Sequence, residues 1–205
     1  MNNTEAGFLL EYCAEGNLYD LLTRYSSDKQ IISTKCLQNW VQDAIAGVNH
    51  LHSQEPPIVH RDIKSPNYLV QDNRLKLCDF GLCRRQTPFN QSTTFKRMRS
   101  TPAWAAPELF STSASNGGYS TGSDIYSVGI VIWELLSLYL YHKYSRPFAG
   151  YNEIQTMVAI ISGMCPEIKS PPFSKSLADH LESCWHQDPK QRPSCKQLLK
   201  IVQVL

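Results

Sequence analysis

The sequence predicts an α+β fold, a mostly helical body with one small β-hairpin at its edge. Three observations predict it. Leu37, Val41, Ile45, Val48 and Leu51 recur at helical spacing between Thr34 and His52. Two short β-type runs, Tyr68-Leu69-Val70 and Leu75-Lys76-Leu77, flank the turn pair Asp72-Asn73. Beyond residue 123 the pattern is helical again, near 124–140, 151–162, 174–186 and 194–204.

Along the chain, Gly7 to Tyr12 reads as a short apolar and aromatic strand. Glu15-Gly16-Asn17 is a turn, and Asn17 or Asp20 starts the next helix. Ser33 or Thr34 caps the helix that follows, and Pro56-Pro57 ends it. Residues 83–101 are polar, rich in Ser, Thr and Arg, and read as a loop. A Ser- and Gly-rich link over 111–123 precedes the most apolar stretch, Ile125 to Tyr141. That stretch is short for a bilayer span and contains Glu134, so a buried core helix is expected and no membrane segment.

Composition narrows the function classes. With 205 residues and 42% apolar content, the chain can build one good core. The net charge of +2 points away from a nucleic-acid partner; Lys96-Arg97-Met98-Arg99 is the one basic run. Seven cysteines without a Cys-x-x-Cys pair fit reduced thiols in a cytoplasmic setting rather than a metal site. The opening MNNTEAG lacks the basic and apolar pattern of a signal peptide.

The chemistry sits in four motifs. Ile58-Val59-His60-Arg61-Asp62-Ile63-Lys64-Ser65-Pro66-Asn67 concentrates five polar identities within eight residues. Cys78-Asp79-Phe80-Gly81 follows the second hairpin strand. Thr101-Pro102-Ala103-Trp104-Ala105-Ala106-Pro107-Glu108 and Ser123-Asp124-Ile125-Tyr126-Ser127-Val128-Gly129 come next, and Arg192 lies in Asp188-Pro189-Lys190-Gln191-Arg192-Pro193. Each alone reads as an ordinary charged turn, helix cap or exposed charge. In this order and spacing they resemble the eukaryotic protein kinase catalytic domain.

That resemblance implies a protein-kinase-like fold with ATP and Mg2+ as cofactors and a protein as substrate. Asp62 would orient the acceptor hydroxyl and take its proton, and Lys64 would offset charge on the γ-phosphate. Asn67 and Asp79 would hold magnesium. Gly81 would permit the turn that presents Asp79, and Phe80 would pack inward. Asp124 would begin a central buried helix and brace the catalytic loop backbone, and it would also serve as a helix N-cap. Glu108 would pair with Arg192. Leu10, Glu11 and Cys13 resemble the hinge that receives adenine, with Leu10 as gatekeeper and Leu69 as floor; plain core is the alternative. Cys78 reads as a reactive thiol or a small core residue.

Within the family, Lys64 with Thr101 points to Ser/Thr specificity, with tyrosine or dual specificity as the minor alternative. Trp133-Glu134-Leu135-Leu136 and Cys184-Trp185 resemble the tyrosine-kinase-like group. An upstream kinase acting on Ser92, Thr93 or Thr94 would supply a phosphate for Arg61 to hold. The stretch Ser137 to Arg146 is longer than usual and reads as a contact surface or an extra turn with exposed aromatics.

The resemblance maps 6–13 to the last small-lobe strand and hinge, 14–205 to the large lobe, and 79–108 to the activation segment. The Gly-rich loop and the phosphate-gripping strand Lys of the family are not found in the sequence, so the domain is expected to be incomplete at its N-terminus. Two readings follow: part of a longer active kinase, or a kinase-derived binding module.

Overall fold

A computed structural model describes residues 9–86, 102–110, 118–166 and 175–202. Six helices and four short strands stand among them in the order α1 (Leu18–Ser27), α2 (Thr34–His52), β1 (Ile58–Val59), β2 (Tyr68–Gln71), β3 (Arg74–Leu77), β4 (Arg84–Arg85), α3 (Thr121–Tyr141), α4 (Glu153–Ile161), α5 (Lys175–Cys184) and α6 (Cys195–Val202).

Helix starts follow local chemistry. Asn17 caps α1 by accepting from the Asp20 amide, and Ser33 caps α2 by accepting from the Cys36 amide. α3 starts at Thr121, three residues before the sequence pattern suggests. The cause is a capping box: the Ser120 and Ser123 side chains each accept from the other's backbone N–H. Asp124 is therefore not the N-cap. α4 begins with a second capping box, Asn152 with Gln155.

α3 lies at the centre. It is long and apolar enough to cross a membrane, with a mean hydropathy of 1.3, but 89% of that window is buried in the protein. α2 packs on α3, α6 and β3, while α5 covers α3 from another side. Trp40, Tyr68 and Tyr126 are wholly enclosed. Each large apolar side chain so buried contributes about 1.5–3 kcal/mol, so this core supplies the stability on which the polar site rests.

The hairpin forms as the pattern predicts. β2 and β3 are antiparallel with Tyr68 opposite Leu77 and Val70 opposite Leu75. Asp72 and Asn73 take left-handed backbone at φ 52° and 57°, which Asp and Asn tolerate and a two-residue turn needs. A second antiparallel pair, Ile58 with Arg85 and Val59 with Arg84, appears inside the stretch read as loop. The strand expected over Gly7–Tyr12 does not form in its described part: Leu9 to Tyr12 have no strand partner, and Leu9, Leu10 and Tyr12 face solvent. A strand needs a neighbour to receive its backbone hydrogen bonds.

In the Ser137–Arg146 stretch Tyr141 is exposed, as the reading of an extra turn with exposed aromatics has it, but Tyr144 is not. Tyr144 turns inward, its amide donates to Ser26 Oγ at 2.9 Å, and its ring meets Tyr19 edge-on at 5.7 Å. The connection is thereby fastened to α1.

Gly129 marks a close approach of α3 to the end of α5. An added Cβ would lie 2.7 Å from Trp185 Nε1 and 2.8 Å from Cys184 Cβ. Gly129→Ala gains about 1 kcal/mol of helix propensity but meets an overpacking cost of about 1–3 kcal/mol. With both contacts below van der Waals range the clash prevails. Urea unfolding should show a net loss of about 1–2 kcal/mol.

Candidate active site

The loop between β1 and β2 carries the first motif. His60 is buried, and its Nε2–H donates to the Cys78 carbonyl at 3.1 Å. That leaves Nδ1 to accept from the Asp62 amide at 3.4 Å. Arg61 adopts φ 75°, a left-handed conformation that an ordinary residue keeps only when its surroundings hold it. The holder is Asp124: Oδ2 accepts from the His60 amide at 2.8 Å and Oδ1 from the Arg61 amide at 3.0 Å.

Two residues not singled out in the sequence support Asp124. His52 Nε2–H donates to Oδ2 at 3.0 Å, and His52 Nδ1 faces the Cys195 thiol at 3.8 Å. The Cys–His–Asp order looks like a nucleophile relay. It cannot act as one: Cys195 is buried, and burial drives its thiol far above the usual range. Its place is structural, joining α6 and the end of α2 to the loop.

Next to the brace, three polar groups converge. Lys64 Nζ lies 2.7 Å from Asp62 Oδ2. Asn67 Nδ2 donates to the same oxygen at 3.0 Å and to the Asp62 carbonyl at 2.8 Å. Asp62 is thus held by two donors on one carboxylate oxygen, while the backbone amide of Asn67 closes a turn on the Lys64 carbonyl at 2.9 Å. Asn67 then joins the other motif, because its carbonyl accepts from the Cys78 amide at 2.9 Å and from the Cys78 thiol at 3.3 Å. Burial and the neighbouring Asp79 push that thiol up, and its hydrogen bond to the Asn67 carbonyl holds it in place.

Asp79 is exposed and takes φ 60° and ψ 69°, with Oδ1 accepting from the Gly81 amide at 3.4 Å. The strained residue is therefore Asp79 and not Gly81, whose backbone is not left-handed. Gly81 matters sterically instead: a Cβ there would come within 3.3 Å of Asp79 Oδ1. Phe80 does not pack inward. It is 54% exposed, and its ring meets that of His60 edge-on at 5.5 Å between centroids.

Asn67 and Asp79 offer oxygen donors of the kind a hard cation such as magnesium takes. With Asn67 Nδ2 turned to Asp62, the amide oxygen remains for a ligand. The donor set fits the ion that the family uses.

The remaining motifs also come together in part. Arg192 and Glu108 form a buried two-pronged pair at 2.8 and 2.7 Å, and Arg192 also donates to the Gly122 and His186 carbonyls. Thr101, Ser92, Thr93 and Thr94 lie outside the described residues. Of the hinge group, Cys13 is buried, Leu69 half-buried and paired in register with Asn17, and Leu10 exposed. The Glu11 carboxylate is paired with Lys76. Leu10 is thus not core.

Sequence reasoning missed the cluster around Glu134. This residue is wholly buried and accepts from Ser65, Trp104 and Tyr144. A signal existed: it is the sole charge in Ile125–Tyr141, and a buried acid is kept only with partners.

Arg192→Ala should cost about 3–5 kcal/mol in urea unfolding, because it leaves Glu108 buried without its partner. Replacing Glu108 and Arg192 together by apolar residues should cost much less, and equal losses would refute this account of the pair.

Comparison with known proteins agrees with this geometry. The chain matches the family described as protein kinase domain over residues 1–202. A probable serine/threonine-protein kinase of Dictyostelium discoideum is 37% identical over 199 residues, covering 92% of this chain and 10% of the relative. Stress-activated protein kinase alpha of the same organism is 34% identical, covering 93% and 30%. Serine/threonine-protein kinase CTR1 of Arabidopsis thaliana is 35% identical, covering 95% and 22%. The chain spans less than a third of each of these relatives. With its loop, its metal-type donors and its buried Glu–Arg pair in the family's arrangement, this chain belongs to the protein kinase family.

Proposed function

We propose that this chain is the catalytic large lobe of a longer serine/threonine kinase, transferring the γ-phosphate of ATP to protein hydroxyls. The observation that carries this is the convergence of Asp62, Lys64 and Asn67 on one carboxylate oxygen, 2.7 and 3.0 Å from its two donors. In the reaction the substrate hydroxyl oxygen bonds to the γ-phosphorus as the bond to the bridging oxygen breaks. Asp62 orients that hydroxyl and receives its proton. Lys64 places positive charge beside the transferring oxygens. Asn67 and Asp79 would hold magnesium, which would neutralise charge on the phosphates when bound.

Ser/Thr specificity is supported by Lys64 and by the names of the relatives. Free thiols fit a reducing, cytoplasmic setting. Leu10, the backbone of Glu11 and Cys13, and Leu69 would receive adenine. A second reading, a binding module, is favoured by the exposed apolar surface of Leu9, Leu10, Tyr12 and Phe80. The rest of a kinase fold or a partner protein would cover it.

ATP-dependent phosphorylation of a generic Ser/Thr substrate, by protein extended upstream of residue 1, separates the two. Asp62→Asn should lower the rate at least about 100-fold. Undiminished transfer would sink the mechanism. Binding of a partner by the 205-residue chain, with no transfer by the extended protein, would favour the module.

Arg61 also suggests control by phosphorylation. Its guanidinium stacks on Tyr119 at 4.4 Å while its buried Nε has no hydrogen-bond partner. A phosphate on Ser92, Thr93 or Thr94, added by an upstream kinase, would supply one. Mass spectrometry of active protein should find at least one of the three modified; none modified would overturn this assignment.

A further inference from the structure

Glu134 gathers three donors from three separate pieces of chain. Oε1 accepts from Ser65 Oγ at 2.8 Å and from Tyr144 O–H at 2.6 Å. Oε2 accepts from Trp104 Nε1 at 2.8 Å. Ser65 stands in the loop between Asp62 and Asn67, Trp104 precedes Glu108, and Tyr144 belongs to the connection between α3 and α4. A carboxylate at zero exposure carries a desolvation cost that an apolar side chain at the same place in α3 would avoid. Its retention here calls for a use of the charge.

We propose that Glu134 is a positioning residue whose carboxylate ties the catalytic loop, through Ser65, to the end of the activation segment, through Trp104. Tyr144 is the third anchor, aiming the carboxylate at both. The inference deepens the kinase reading of this site and rests on it for its catalytic consequence.

The chemistry of the donors makes the tie depend on charge. An indole N–H can only donate, so Oε2 must stay free of a proton to keep Trp104. A proton on Oε1 turns that oxygen into a donor. Either Ser65 or Tyr144 must then reverse its hydroxyl and leave its own hydrogen without an acceptor in a buried place. The ionised form alone holds all three donors. Burial pushes the Glu134 carboxyl up to about 7, against the opposing hydrogen bonds from Tyr144, Trp104 and Ser65 and the positive charge of Arg146. Arg146 lies over the Trp104 ring at 5.7 Å, and Tyr19 backs Tyr144. The tie is therefore complete above neutral pH and slackens below it. Losing the Tyr144 hydroxyl removes a bond that favours the ionised form, so it moves the transition to higher pH.

The test needs no turnover. In the 205-residue chain, the Trp104 indole N–H resonance is followed by NMR across pH, with exchange of the Asn67 amide as a second reading. The wild-type resonance should titrate near pH 7. Tyr144→Phe should titrate at higher pH, and Glu134→Gln should abolish the titration and speed Asn67 exchange about tenfold, the equivalent of one charge-assisted hydrogen bond. A flat wild-type resonance, or wild-type exchange in Glu134→Gln, would overturn the proposal. Should Glu134→Gln fail to fold, Tyr144→Phe decides alone, since it keeps the ring and its packing: an unmoved midpoint refutes the tie. A chain that shows the titration but gives no phosphotransfer when extended would refute the kinase reading and leave the tie standing.

Discussion

The acceptance of two backbone amides by one carboxylate, Asp124, is the constraint on which the site depends. The loop at His60 and Arg61 turns sharply, and Arg61 pays with left-handed backbone. Strain of this kind, of order 1–3 kcal/mol, persists only where neighbours over-determine it. Two hydrogen bonds to a charged acceptor, each worth about 1.5–3 kcal/mol, are enough to hold it. With the turn held, Asp62, Lys64 and Asn67 face one another, and the Asn67 carbonyl reaches the strand end that leads to Asp79.

Asp124 can do this because α3 is rigid and central. The Ser120–Ser123 box sets where the helix starts, which sets where Asp124 points. Trp185 packs so closely on Gly129 that the helix has no room to slide. Farther along, Glu134 meets Ser65, so the same helix grips the catalytic loop at two places. His52 carries the brace outward to α2, and Cys195 to α6.

Charge burial has a consistent logic here. Asp124, Glu134 and the Glu108–Arg192 pair are all nearly inaccessible to water. By magnitude they are poor sources of stability, because desolvation offsets most of the attraction. The apolar core around Trp40, Tyr68 and Tyr126 provides that. What the buried charges add is direction: each holds groups that lie far apart in the chain at fixed distance and angle. Asp124 spans 63 and 64 residues to its loop partners, and Arg192 spans 84 to Glu108.

By itself the sequence determined the elements whose causes are local. Helical spacing placed α2, the Asp72-Asn73 pair placed the hairpin, and Asn17 or Asp20 and Ser33 or Thr34 marked helix starts, since each depends on neighbours within a few residues. The motif order around Asp62 and Asp79 was legible for a different reason: the chemistry needs particular side chains, and few substitutes exist. Only the tertiary structure decided which contacts those residues make. Strain fell on Asp79 instead of Gly81, Phe80 stayed open to solvent, and the helix cap moved from Asp124 to Ser120, freeing Asp124 for the loop. The Glu134 cluster escaped the sequence reading because its donors lie 10, 30 and 69 residues away. A one-dimensional pattern records periodicity and identity; it does not record which distant groups share an acceptor, and that sharing positions this site.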